Sequence, residues 1–152
     1  SSRMFLGVRE AKGLAYYIQT STDDYVDSGL ISTRAGVDVK RAKLAVSAIV
    51  EEYAKIRGEK VPPAELKKAK EYLKGKLILR LEDSEEYAHM LGKDELMYGH
   101  VETPEEIIEK IDAVTAADVK KATEELFVEE NLRLALIGPY ENKEEFEGLL
   151  KM

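Results

Sequence analysis

Arg9 and Tyr16 are the two side chains of this sequence whose types and spacing best suit chemistry. They flank Gly13 in the opening run SSRMFLGVREAKGLAYYIQT. A guanidinium keeps its charge and presents a planar fork of N–H donors, and a phenol adds one O–H. Converging on one point, the two would hold a carbonyl or carboxylate oxygen. Other candidates are poorer. His89 and His100 are the only two histidines, and no HxxEH, HExxH or HxH spacing surrounds them; His89 with Asp94 is a partial set at most, whereas zinc needs three or four converging ligands. No GxSxG, P-loop or dinucleotide-type glycine motif occurs. Asp23 with Asp24 and Glu85 with Glu86 read as turn-forming and helix-start charges rather than as a catalytic carboxylate pair.

The elements that must position Arg9 and Tyr16 are legible in the same run. The hydroxyl of Ser1 or Ser2 caps a helix, Met4, Phe5 and Val8 recur at helical spacing, and Gly13 supplies the left-handed residue that ends it. Leu14 to Thr22 is rich in aromatic and β-branched residues and predicts a strand. Arg9 then falls in the last helical turn, where the dipole favours a cation, and Tyr16 falls just inside the strand. A structural account competes with the chemical one. Strict alternation puts Leu14, Tyr16 and Ile18 on one face, making Tyr16 a core tyrosine and Arg9 no more than a helix-terminal charge.

Composition narrows the setting. At 152 residues with 44% hydrophobic content the chain suits one domain with a sizeable core. Thirty acidic against 23 basic residues give a formal charge of −7, which disfavours a phosphate-tracking surface and hence nucleic acid. There are no cysteines, which excludes disulfides, thiolate metal ligands and a cysteine nucleophile. No signal peptide or membrane span is visible, and a cytoplasmic location is the default; an upstream signal would be missing from a fragment. Charged residues reach 35% while Gln19, Asn131 and Asn142 are the only amides, a balance resembling thermophile usage.

Along the chain, Gly29 to Gly36 predicts a second strand, paired with the first as a hairpin. Asp38 caps a helix whose apolar stripe is Ala42, Ala45, Val46, Ile49, Tyr53 and Ile56, ending near Gly58. Pro62 and Pro63 start another, with Leu66, Ala69, Leu73 and Leu77 as its expected buried stripe and lysines over the remainder. Further helices are expected from Ser84 to Gly99, after the Thr103-Pro104-Glu105-Glu106 start signal, after Thr115, and from Asn142 to Leu150. Leu132 to Ile137 predicts a third strand, stopped by Gly138-Pro139. The class is α+β, a two-layer, mainly antiparallel sheet with helices packed on one face. Three strands are few for this length, so the sheet reads as incomplete, with an edge that needs cover and that could drive homo-oligomer formation.

The segments SRMFLGVREAKGLAYYI and VDSGLISTRAGVDVKRA, followed by AELKKAKEYLKGKLILRLED, YAHMLGKDELMYGH, TPEEIIEKIDAVTAADVKKA and LRLALIGP, resemble the carboxy-terminal half of the insulinase/pitrilysin zinc metallopeptidases, which include mitochondrial processing peptidase. The resemblance covers essentially the whole chain. It implies a processing-peptidase-like metallohydrolase fold in which residues 1–152 form a single partial domain, the C-terminal half-domain that lacks the zinc motif, truncated at its N-terminus. It also implies that zinc, bound by an HxxEH motif, sits in the complementary amino-terminal half or partner subunit, with none in this chain. Arg9 and Tyr16 are the positions the resemblance assigns to substrate binding and transition-state stabilisation, with Gly13 setting the turn geometry; no catalytic residue is implied within the chain. The implied function is the substrate-positioning half of a zinc endopeptidase acting on peptides, inactive by itself. The alternative is a non-catalytic assembly or scaffold subunit of the same fold.

Overall fold

Val8, wholly withdrawn from solvent, anchors the first helical segment against the core and so fixes what lies on either side of it. The computed structural model describes residues 2–152. Ser2 Oγ accepts the Phe5 N–H at 3.2 Å, the predicted cap; Ser1, the other candidate, lies outside the described residues. The segment Phe5–Glu10 is wound as a π-helix, with the Ala11 N–H closing a wide turn onto the Leu6 carbonyl at 2.9 Å. Gly13, at φ +58°, ends it as predicted, because a side chain is strained in that left-handed conformation.

Strands β1 (Ala15–Asp24) and β2 (Gly29–Val37) form an antiparallel hairpin with Asp24 opposite Gly29. Along its length Thr20 meets Thr33 at 2.8 Å and Ser21 meets Ser32 at 3.2 Å, hydroxyl to hydroxyl. Asp38 Oδ1 accepts the Lys40 N–H at 2.8 Å and starts a 3-10 turn, Val39–Arg41, that leads into α1 (Ala42–Gly58). Helix α1 is buried on two sides. Ala45 and Ala48 pack with Met4, Val8, Leu14, Ala15 and Ile18, while Ala42, Val46 and Val50 pack around Phe146. That second contact widens the apolar stripe beyond the single line expected.

The chain divides into two compact units, one running to Glu59 and resuming at Lys121–Met152, the other spanning Lys60–Lys120. The second unit holds α2 (Pro63–Leu81), α3 (Ser84–Tyr98) and α4 (Pro104–Ala113). Helix α2 begins with proline in its first turn, as expected. Helix α3 begins at Ser84 as expected, with Asp83 as its cap, and is closed by Gly99 at φ +70°. Thr103 and Glu106 make a reciprocal capping box on α4. Thr115 and Asp118 exchange the equivalent bonds at the start of α5 (Ala116–Leu126). In the first unit Thr123 of α5 is buried and donates to the Ile56 carbonyl at 3.3 Å, and Tyr53 and Phe127 stack at 4.8 Å.

Three expectations are corrected. No residue of α2 is buried; Leu66 and Leu77 are half-covered and Ala69 and Leu73 exposed, because apolar side chains lie all round this helix and its neighbours cover only one side. Leu132 to Ile137 is not a strand, since ladder bonds require a neighbour and none pairs with it among the described residues. The sheet therefore has two strands. The last helix, α6 (Glu144–Glu147), is shorter than expected.

Candidate functional site

The turn between Arg9 and Tyr16 is tied back on itself and onto α1. The Gly13 N–H donates to the Arg9 carbonyl and the Leu14 N–H to the Val8 carbonyl, both at 3.0 Å. Leu14 and Ala15 are buried beside Val8. Lys12 pairs with Glu51 of α1, and this ion pair holds the Glu51 carboxyl below its usual range, with Lys55 assisting. Arg41 reaches across from the start of α1 to the carbonyls of Gly13 at 2.9 Å and Lys12 at 3.1 Å.

Ala15 faces Val37 but Tyr17 already faces Gly36, so β1 carries one residue more than β2 over this step. Tyr16 is that extra residue, the centre of a β-bulge. Bulges bend a strand and re-aim a side chain. Here the consequence is visible in burial: Ala15 and Ile18, three apart, both point into the core, while Tyr16 is 74% exposed. The core-tyrosine account of Tyr16, which assumed unbroken alternation, fails for this reason.

Arg9 lies in the last turn of the π-helix and is exposed. Its guanidinium carbon lies 5.0 Å from the centre of the Phe5 ring, a cation–π contact that orients the side chain without using its N–H donors. Among the described residues neither the Arg9 nor the Tyr16 side chain makes a hydrogen bond or ion pair. Sequence reasoning missed Phe5 and Arg41 as supports; the signal for Phe5 is its place four residues before Arg9.

Among the described residues no group of three His, Cys, Asp or Glu side chains could hold a metal ion, and this donor set does not fit zinc. His100 is exposed, with Nε2 3.9 Å from Glu102. It lines a cavity of about 410 Å³ in the second unit with Val101, Glu102, Glu106, Glu109, Lys110 and Ala113. Two of those carboxylates are already engaged: Glu102 pairs with Lys110, and Glu106 accepts the Thr103 backbone N–H at 2.7 Å, which holds its carboxyl below the usual range. No helix among the described residues is long and apolar enough to cross a membrane.

Residues 1–73 match the family described as the peptidase M16 inactive domain. Over 152 residues the chain is 34% identical to an uncharacterized zinc protease of Mycobacterium leprae, all of this chain against 34% of that one. It is 36% identical over 142 residues to an uncharacterized zinc protease of Bacillus subtilis, covering 93% of this chain and 34% of the relative. A conserved protein from Enterococcus faecalis V583 superposes on 81% of this chain, using 28% of its own, with a TM-score of 0.69 at 30% identity. A chain of the structure titled complex III2 from Candida albicans, Inz-5 bound, covers all of this chain with 37% of its own at a TM-score of 0.78; at 19% identity that likeness speaks for the α+β fold alone. The chain belongs to the M16 family of zinc proteases. Within that family it corresponds to the inactive, C-terminal part, and it spans about a third of the length of the relatives it matches.

Proposed function

We propose that the chain is the substrate-positioning half of a zinc-dependent endopeptidase, a single partial domain that works against a complementary half carrying the metal. The observation that carries this reading is the bulge at Tyr16. It turns a phenol out of the core one short turn away from Arg9, with the donors of both side chains unused. A guanidinium and a phenol held on a braced turn suit a peptide carbonyl that gains negative charge during hydrolysis. Preorganised donors stabilise such charge without reorganising when it develops. Zinc would supply its chemistry from the other half; among the described residues no group of three His, Cys, Asp or Glu would hold it.

The partners are then that half and an extended peptide. The two-stranded sheet leaves strand edges open among the described residues, and an edge recognises extended backbone by strand addition. The unpaired segment Leu132 to Ile137, exposed from Arg133 onward, suits completion of the sheet by further polypeptide, or by a second copy of the chain.

The test is steady-state peptide hydrolysis by the complete two-half protein. Arg9→Ala and Tyr16→Phe each lower kcat by about 100-fold, the usual effect of removing one such donor. Unchanged kinetics in both variants would sink the role of Arg9 and Tyr16, and no hydrolysis by the complete protein would leave the non-catalytic assembly subunit in its place.

A further inference from the structure

We propose that Arg41 is a positioning residue for the Arg9 and Tyr16 pair, acting through the backbone of the turn between them. The inference rests on the site reading above and adds a residue to it. Arg41 Nη1 donates to the Gly13 carbonyl at 2.9 Å and Nη2 to the Lys12 carbonyl at 3.1 Å. Two consecutive carbonyls are therefore gripped by one planar fork, a geometry that a lysine ammonium, acting as a point donor, does not reproduce.

The turn has need of such a grip. Gly13 is left-handed, and a Cβ built on it would meet nothing within 4 Å, so no neighbouring side chain packs where its own would sit. The internal bonds from Gly13 to Arg9 and from Leu14 to Val8 close the turn on itself. Apart from the buried Leu14 and Ala15, its links to α1 are Lys12 with Glu51, through a flexible side chain, and Arg41, through the main chain.

The far end of the fork is firmly seated. Arg41 N–H bonds to the Asp38 carbonyl at 2.9 Å, and the next residue, Ala42, is buried at the head of α1. The fork thus transmits the position of the most buried helix to the turn carrying both donors. Arg41 itself is exposed, so its replacement leaves the core intact. A displacement on the order of 1 Å at a reacting centre is enough to cost up to 100-fold in rate.

Two readouts on the complete protein test this. In amide hydrogen exchange, Arg41→Ala should speed exchange at Gly13 and Leu14 about tenfold while the amides of α1 stay protected, as local opening predicts. In peptide hydrolysis it should lower kcat about tenfold with KM within about twofold, Arg41→Lys recovering part of the loss. Because Arg41 acts through the pair, Arg41→Ala in a Tyr16→Phe background should change kcat by less than about twofold. Unaltered exchange at Gly13 and Leu14 overturns the grip. Faster exchange with unaltered kcat, or a loss that persists in the Tyr16→Phe background, overturns the positioning role. If Arg9→Ala and Tyr16→Phe are themselves silent, the site reading has failed and the positioning role with it, while the exchange result still decides the grip.

Discussion

Gly13→Ala isolates the conformational demand of the turn from every packing effect. Gly13 sits at φ +58°, and a Cβ added there meets nothing within 4 Å, so the substitution introduces no collision. What remains is the penalty of holding an L-residue left-handed, about 1–2 kcal/mol. Against it stands the lower entropy of the unfolded alanine chain, about 0.4–1 kcal/mol. The net loss is about 1 kcal/mol, equivalent to a fall in Tm of about 2–4 °C at this chain length. Gly99 provides the control, at φ +70° with the same open surroundings but at the end of α3. Gly99→Ala should therefore lose the same stability, and Gly13→Asn should lose less, since asparagine tolerates this region. The assay is thermal unfolding of the three variants, followed by peptide hydrolysis in the complete protein. Only the changes at Gly13 should lower turnover. An unshifted Tm for Gly13→Ala refutes the left-handed turn, a loss beyond about 3 kcal/mol points to a collision that the open space excludes, and equal turnover for the Gly13 and Gly99 variants refutes the turn's part in the site.

Three other substitutions probe separate features. Gly7→Ala places a Cβ 2.7 Å from the Glu52 carboxylate, the end of a flexible side chain that can swing aside but is buried and paired with Lys55; the change should alter stability by no more than about 1 kcal/mol, as chemical denaturation will measure. Glu106 has its folded-state pKa depressed by the Thr103 backbone N–H, so its contribution is present above the ordinary value of 4.5 and is lost as pH falls through the lower folded value. Glu106→Gln should accordingly flatten the acid limb of a Tm-against-pH curve between 4.5 and the lower folded value, leaving its shape at neutral pH unchanged. Ile137 is fully exposed, so Ile137→Lys should shift stability by no more than about 0.5 kcal/mol while reducing self-association in light scattering; a large drop in Tm would mean that the side chain is covered within the chain.

Local signals carried most of the helical half of the fold. Proline in the first turn of α2, the Thr103–Glu106 box of α4, the Thr115–Asp118 exchange and the glycine after Tyr98 act over four or five residues, so one strand of text suffices to see them. The failures share a different cause. The strand expected at Leu132 to Ile137 needs a partner that pattern alone does not supply, and the stripe expected on α2 needs a second surface to bury it. Glu52 was equally invisible: it is buried because it lies over the backbone of Gly7, forty-five residues away in sequence.

At the site itself, the residue types and the glycine were legible, but the geometry that makes them serviceable was not. A regular strand would have turned Tyr16 inward with Ile18, and the composition of β1 gives no warning otherwise. The bulge arises from a count across two strands, two residues of β1 spanning one step of β2, which no single segment reveals. The π-winding of Phe5–Glu10 is the same kind of departure, a wider turn than the apolar spacing of Met4 and Val8 implies. Each departure leaves the core residues in place, Val8 on one side and Ala15 with Ile18 on the other. Each also leaves a polar side chain, Arg9 or Tyr16, outside the core beside the turn. Irregular backbone of this sort recurs near functional sites because it uncouples where a side chain points from where the chain must pack. The two irregularities flank one turn, and that shared location is what favours the proposed role of the exposed donors over the residue types alone.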